Sequence, residues 1–337
     1  MTTPTIVGHH DALFRLSLSG DWDDFLKGSE DGQVDLQRAR EANVSASFFA
    51  CWPESTDDGD EAYPSAIEVE DAVTSTRAMV EILLDLESAS EGSLQIVRSL
   101  DGLRECLSGD CHGAVLHFEG AEALGENLEY LDSWYEQGLR SLGIVWSRPN
   151  AFGHGVPFLF PSTPDTGPGL TSRGLELVKA CNSLGIMLDV SHLNEAGFWD
   201  LEALTDAPIV ATHSNAHALC PASRNLTDDQ LRAIAGSGGL VGINFSCSDL
   251  RSDGEEDPDT SMGLVLEQFD YVAGLIGVDH VALGTDLDGA VLPNELDGME
   301  KIPDVLSELA RTGWTEDEIE KMAAGNWLRV LQQTWEN

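Results

Sequence analysis

Positive charge is what this chain has least of. Its 337 residues hold 18 lysines and arginines against 59 aspartates and glutamates, for a formal net charge of −41. The lysines are Lys27, Lys179, Lys301 and Lys321 alone. Such a surface repels phosphate backbones and anionic headgroups, so nucleic acid and membrane surfaces are not expected partners. The acid is spread along the chain rather than massed in one tail. That favours a solvated surface suited to concentrated salt, where short Debye lengths screen self-repulsion, over a docking face for cationic partners.

Long hydrophobic runs are also missing. No apolar stretch reaches 18 residues, and residues 1–20 lack the basic start and continuous apolar run of a secretion signal, so a cytoplasmic protein is expected. No CxxC pair occurs among Cys51, Cys106, Cys111, Cys181, Cys220 and Cys247. Buried free thiols are expected, with a Cys106–Cys111 bridge the one alternative. Internal repeats, low-complexity tracts and linkers are absent too, so residues 1–337 read as one domain. A small strand-plus-helix insertion is expected at about 94–111 and a terminal helix at about 315–337.

What is present is alternation. Short apolar runs at 5–10, 44–50, 113–119, 141–147, 186–192, 208–214, 239–246 and 280–286 are separated by helical patterns, among them 66–88, 172–184, 227–236, 262–276 and 303–312. Eight continuously apolar strands between helices predict an α/β fold with a parallel, fully covered sheet. Eight is the number that closes a (β/α)8 TIM barrel. A doubly wound open sheet is the alternative, but it would gather ligands at one switch-point crevice. The Pro/Gly-rich stretch 148–170 and the acidic stretches 53–65 and 249–260 each follow a strand and are expected at the barrel mouth.

The chemistry lies at strand ends. His9 and Asp11 share a face at the end of the first run, because alternate residues of a strand point the same way, while His10 points elsewhere. Glu119 ends the third run, where a buried carboxylate needs a cation. His192 and His213 end consecutive runs, and Asp286 ends the eighth, beside the first in a closed barrel. Histidines and carboxylates gathered at one mouth suit a hydrolytic metal centre. His117 reads as a deeper core histidine and Asp288 as a carboxylate further out.

These pieces resemble the membrane (renal) dipeptidases, binuclear zinc peptidases with an amidohydrolase-like barrel. The matching segments are GHHD at 8–11, FEG at 118–120, the run 169–192, THSNA at 212–216, RNLTDDQLRAI at 224–234, GTDLDG at 284–289 and AGNWLRVL at 324–331. They span nearly the whole chain in the family's order. The resemblance implies two Zn2+ ions, other divalent metals being possible. His9 and Asp11 bind one ion with Asp286 beside it, and Glu119 bridges to a second held by His192 and His213. It further implies a dipeptide-like substrate whose free carboxylate meets Arg224, with Asp288 also near the substrate and a D-residue tolerated at the carboxyl end. A hydroxide bridging the metals attacks the amide, and Asp286 moves its proton. Dimers occur in the family, so a homodimer is possible.

The chain departs from that pattern where the family carries a histidine that steadies the oxyanion: Trp146 stands at that place. Trp146 is expected to donate its indole N–H there, or His154 from the following loop to swing in. Alternatives to dipeptide hydrolysis are a related metallohydrolase acting on N-acyl amino acids, lactones or cyclic amides, and a non-catalytic member that binds a metal or small ligand.

Overall fold

A computed structural model describes residues 3–20, 22–28, 32–55, 60, 62–109 and 111–336. Among the described residues nine strands form one all-parallel sheet: β1 Thr5–His10, β2 Val44–Cys51, β3 Leu94–Ile96, β4 His112–Glu119, β5 Leu139–Gly143, β6 Met187–Asp189, β7 Val210–Ser214, β8 Leu240–Asn244 and β9 Val281–Leu287. The order is β2-β1-β9-β8-β7-β6-β5-β4, and pairing of β2 with β4 closes eight strands into a barrel. Closure excludes the open doubly wound sheet. The strands are buried almost throughout, which explains why they read as unbroken apolar runs rather than alternating ones.

β3 lies outside the closed ring. It pairs with the start of β4, from Leu94 opposite His112 to Ile96 opposite Ala114, while β5 pairs with the end of β4, up to Glu119 opposite Gly143. One edge of β4 thus serves two strands in turn. The helix Leu100–Ser108 follows β3.

Helix starts follow their capping residues. Thr171 accepts the Gly174 amide to open Ser172–Leu184. Thr227 with Gln230, and Thr315 with Glu318, form reciprocal capping boxes that open Asp228–Gly236 and Glu316–Glu320. Beyond the latter, a π turn at Lys321–Gly325 leads into the last helix, Asn326–Trp335. That helix covers the N-terminal end of the barrel. The fully buried Trp327 packs 4.7 Å from the Phe48 ring and donates its indole N–H to Leu283 O at 3.2 Å. Gly8 makes the room, since a Cβ there would lie 2.5 Å from both Thr212 O and Trp327 Cζ2.

Two strands differ from the apolar runs. The run 141–147 yields a strand at Leu139–Gly143 only, because the chain turns away at once: Asn150 Nδ2 holds Ile144 O and the Arg148 amide bonds back to Trp146 O. The run 186–192 is cut to Met187–Asp189, since Asp189 Oδ1 accepts the Ser191 amide and bends the chain. Short helices at Ala12–Ser19, Asp23–Lys27, Leu36–Glu41 and Cys247–Leu250 have too few residues to display a helical period. All six cysteines are free thiols. Among the described residues no helix is long and apolar enough to cross a membrane.

Candidate metal centre

Six side chains from five strand ends meet at the C-terminal mouth. Glu119 is central: its Oε1 lies 2.9 Å from His192 Nε2 and 3.4 Å from His213 Nε2, and its Oε2 lies 3.7 Å from His9 Nε2. His9 Nε2 is also 3.2 Å from Asp11 Oδ2 and 3.9 Å from Asp286 Oδ1. The donor atoms of His9, Asp11 and Glu119 form one compact group, and those of Glu119, His192 and His213 another. Glu119 belongs to both. Five of the six are buried and Asp286 is half-buried.

Neighbouring residues fix how these donors face. Ser147 Oγ sits 2.8 Å from His192 Nδ1 and Thr212 Oγ1 2.8 Å from His213 Nδ1, so both rings turn Nε2 towards Glu119. Thr212 is in turn held by Asp189, which accepts its hydroxyl at 2.6 Å and its amide at 2.8 Å. Asn244, at the end of β8, donates to Asp286 Oδ2 at 3.0 Å. The backbone is unusual here as well: His192, Thr285 and Asp286 have φ of 66°, 87° and 86°, a region that side chains with a Cβ seldom occupy. His192 therefore arrives on a left-handed turn beyond β6 rather than on the strand.

Burial shapes protonation. It holds the imidazoles of His192 and His213 well below their ordinary range, and the positive charges of Arg224 and His9 push the same way. Burial would also lower His9, but Glu119, Asp11 and Asp286 outweigh it and raise His9 to about 10. Glu119 is pushed up to about 8, first by burial, against the pull of His9, and further by Asp11 and Asp286. Asp286 is likewise raised by burial.

Divalent cations fit this arrangement. Two neutral imidazoles point Nε2 atoms at each other across 3.2 Å, with a carboxylate oxygen against both. His9 Nδ1 and Asp11 Oδ1 are buried without a hydrogen-bond partner among the described residues. Cations would share the lone pairs and neutralise the crowded carboxylates, and a set of imidazoles and carboxylates is one that zinc accepts. The deeper His117 stays outside the group, with Nδ1 2.8 Å from Ser141 Oγ. His10 points the other way, into a chain of Ser47 and His112.

A cavity of about 820 Å³ opens over the centre. Trp146 lines it, packed 5.0 Å from Trp52 and 5.4 Å from Phe158. Arg224 lines it too, buried, with one guanidinium nitrogen on Ser214 Oγ at 2.7 Å and another on His213 O at 2.8 Å. Residues of all three loop stretches contribute, including Glu54, Phe160 and Glu255. Two expected residues are placed differently. His154 is not among the lining residues; its Nδ1 lies 3.2 Å from Gly169 O. Asp288 borders the cavity, but its oxygens already accept from Arg15 Nε at 3.0 Å and the Gln33 amide at 2.6 Å, so it ties two loops together. Ser147, Asp189, Thr212 and Trp52 do not stand out in the sequence. Asn244 alone carried a usable signal, as a polar residue closing an apolar strand.

A closed parallel barrel whose mouth gathers buried histidines around a shared carboxylate defines a metal-dependent hydrolase. The whole chain, residues 1–337, matches the family described as membrane dipeptidase, peptidase family M19, and belongs to it. It is 44% identical over 255 residues to an uncharacterized protein in the pqqA 5′ region of Klebsiella pneumoniae, covering 76% of this chain and 94% of that one. Dipeptidase 3 of Mus musculus is 28% identical over 334 residues, 98% of this chain and 64% of its own. A metallopeptidase from Rhodobacter sphaeroides, solved with a phosphinate mimic of the dipeptide L-Ala-D-Ala, superposes with a TM-score of 0.96 at 41% identity. That match covers 99% of this chain and all of the other.

Proposed function

We propose that this metallo-dipeptidase works with two zinc ions, His9, Asp11 and Asp286 around one and His192 and His213 around the other, with Glu119 between them. The observation that carries this is Glu119, whose Oε1 faces His192 and His213 while its Oε2 faces His9. Bound there, the ions would supply Lewis acidity, polarising the scissile carbonyl and making a water molecule acidic enough to attack at neutral pH.

The chain's own residues do the rest. Arg224 takes the substrate's terminal carboxylate with the guanidinium edge that Ser214 and His213 leave free, and so sets which bond lies over the centre. Asp286 accepts the proton of the attacking water and hands it to the leaving amine, while Asn244 keeps Oδ2 engaged and Oδ1 facing inward. Trp146, which lines the cavity, offers its N–H to the carbonyl oxygen as charge develops. The aromatic wall of Trp52, Trp146 and Phe158 excludes water around the bond. The dipeptide mimic held by the Rhodobacter sphaeroides relative supports substrates with a D-residue at the carboxyl end.

Metal content by mass spectrometry on protein purified in high salt, paired with hydrolysis of a library of L,L- and L,D-dipeptides, tests the proposal. About two zinc per chain and chelator-sensitive cleavage are expected. Protein that cleaves dipeptides without bound metal would overturn it.

A further inference from the structure

The cavity holds a carboxylate that the proposed reaction does not use. Asp249 sits in the short helix Cys247–Leu250 after β8, lines the cavity and is 8% exposed. Its backbone is pinned: Asn225 Nδ2 and Asn215 Nδ2 donate to its carbonyl at 2.9 and 3.3 Å. The first of these ties it to the residue next to Arg224. Its side chain accepts no hydrogen bond and forms no ion pair among the described residues, although Arg224 is near enough for its charge to be felt. Arg224 instead turns one nitrogen to Ser214 Oγ and another to His213 O.

A buried carboxylate without a partner is costly, and here the neighbouring charges make it worse. Burial pushes Asp249 up to about 6, Arg224 offsets part of that, and Asp286 and Glu256 add to it. Glu255 and Glu256 line the same side of the opening, and Arg224 is the one Arg or Lys side chain among the described lining residues. What is missing on this side is a cation, delivered from the cavity.

We propose that Asp249 is a specificity-determining residue whose carboxylate receives a cationic side chain on the C-terminal residue of the substrate, so that dipeptides ending in lysine, ornithine or arginine are preferred. The assignment rests on the dipeptidase reading with Arg224 on the terminal carboxylate. A group bound beside Arg224 belongs to the same residue as that carboxylate, which points to its side chain rather than to the distant α-ammonium.

The test compares the metal-loaded enzyme on Ala-Lys, Ala-norleucine and Ala-(Nε-acetyl)lysine, in both configurations of the second residue. Phosphinate mimics of Ala-Lys and Ala-norleucine are titrated calorimetrically in parallel. A charge-assisted contact predicts kcat/KM for Ala-Lys about tenfold or more above the two neutral substrates, carried mainly in KM, and the same ratio in mimic affinity. In Asp249→Asn the ratio is expected to fall close to one. Equal use of all three substrates by the unaltered enzyme would overturn the proposal without any variant. A lysine preference that survives Asp249→Asn would do so too, as would a uniform loss on every dipeptide, which would mean that Asp249 holds the α-ammonium. Should no dipeptide be cleaved, the dipeptidase reading fails by itself. The mimic titration then still decides: tighter binding of the lysine mimic supports the subsite and equal binding removes it.

Discussion

Asp286 carries two proposed roles at once, as a metal donor beside His9 and as the carrier of the proton. Replacing it by asparagine keeps the shape and the Asn244 contact region but removes the basic oxygen. Turnover of a good dipeptide by Asp286→Asn should fall by about 10²- to 10⁴-fold, the usual range for a general acid–base group. Zinc content measured on the same sample separates lost chemistry from lost metal, and undiminished turnover would remove Asp286 from the proton path. Thr212 acts at one remove. Its hydroxyl donates to Asp189 and faces His213 Nδ1, so Thr212→Val keeps the volume while freeing the ring. Zinc affinity of Thr212→Val, measured by competition with a chelator, should drop by about 10- to 100-fold.

The elements explain which of these residues could be read in advance. His9, Glu119 and His213 lie on strands, where an apolar run ending in a polar residue marks both the element and its mouth-facing end. His192 was visible as a residue but not in its conformation, because the Asp189 turn that carries it depends on a side-chain to backbone bond that hydropathy does not register. Ser147 reaches His192 and Thr212 reaches Asp189 from distant parts of the chain, so no single stretch of sequence contains both partners. Trp146 stood out only against a family pattern, and its wall with Trp52 required the fold. The Thr171, Thr227 and Thr315 caps are local signals, since each cap and its amide are three residues apart. The final helix offers the clearest element-level test. Trp327 fills the barrel's N-terminal end against Phe48 and Gly8, so Trp327→Ala should cost about 3–5 kcal/mol in chemical denaturation. A loss near zero would mean that the plug is dispensable.

Across the molecule, protons and salt act on different populations of charge. Burial holds His112 at about 4 and His117 at about 3, against 6.5 for a free imidazole. The unfolded chain therefore binds protons that the fold refuses, and stability present above pH 6.5 is lost as pH falls towards 4 and then 3. Crossing the whole window costs roughly 3 kcal/mol through His112 and roughly 5 kcal/mol through His117. Denaturation midpoints between pH 7 and pH 4 should fall steadily, and a flat profile would contradict the buried neutral state. The net charge of −41 acts through long-range repulsion instead. Raising KCl to about 1 M shortens the Debye length to about 3 Å, so the midpoint at pH 7 should rise. A midpoint indifferent to KCl would count against adaptation to salt.

The pairing of β1 with β9 has a consequence for how the molecule comes into being. His9 and Asp286 are neighbours in space, yet all the other strands lie between them in sequence, and the Trp327 plug comes later still. A growing polypeptide presents His9 and Asp11 with the first strand, but Asp286 exists only once the ninth has been made. The centre is thus completed only when β9 is added, in the same event that seals the barrel, and a chain truncated before Asp286 has no completed site to fill.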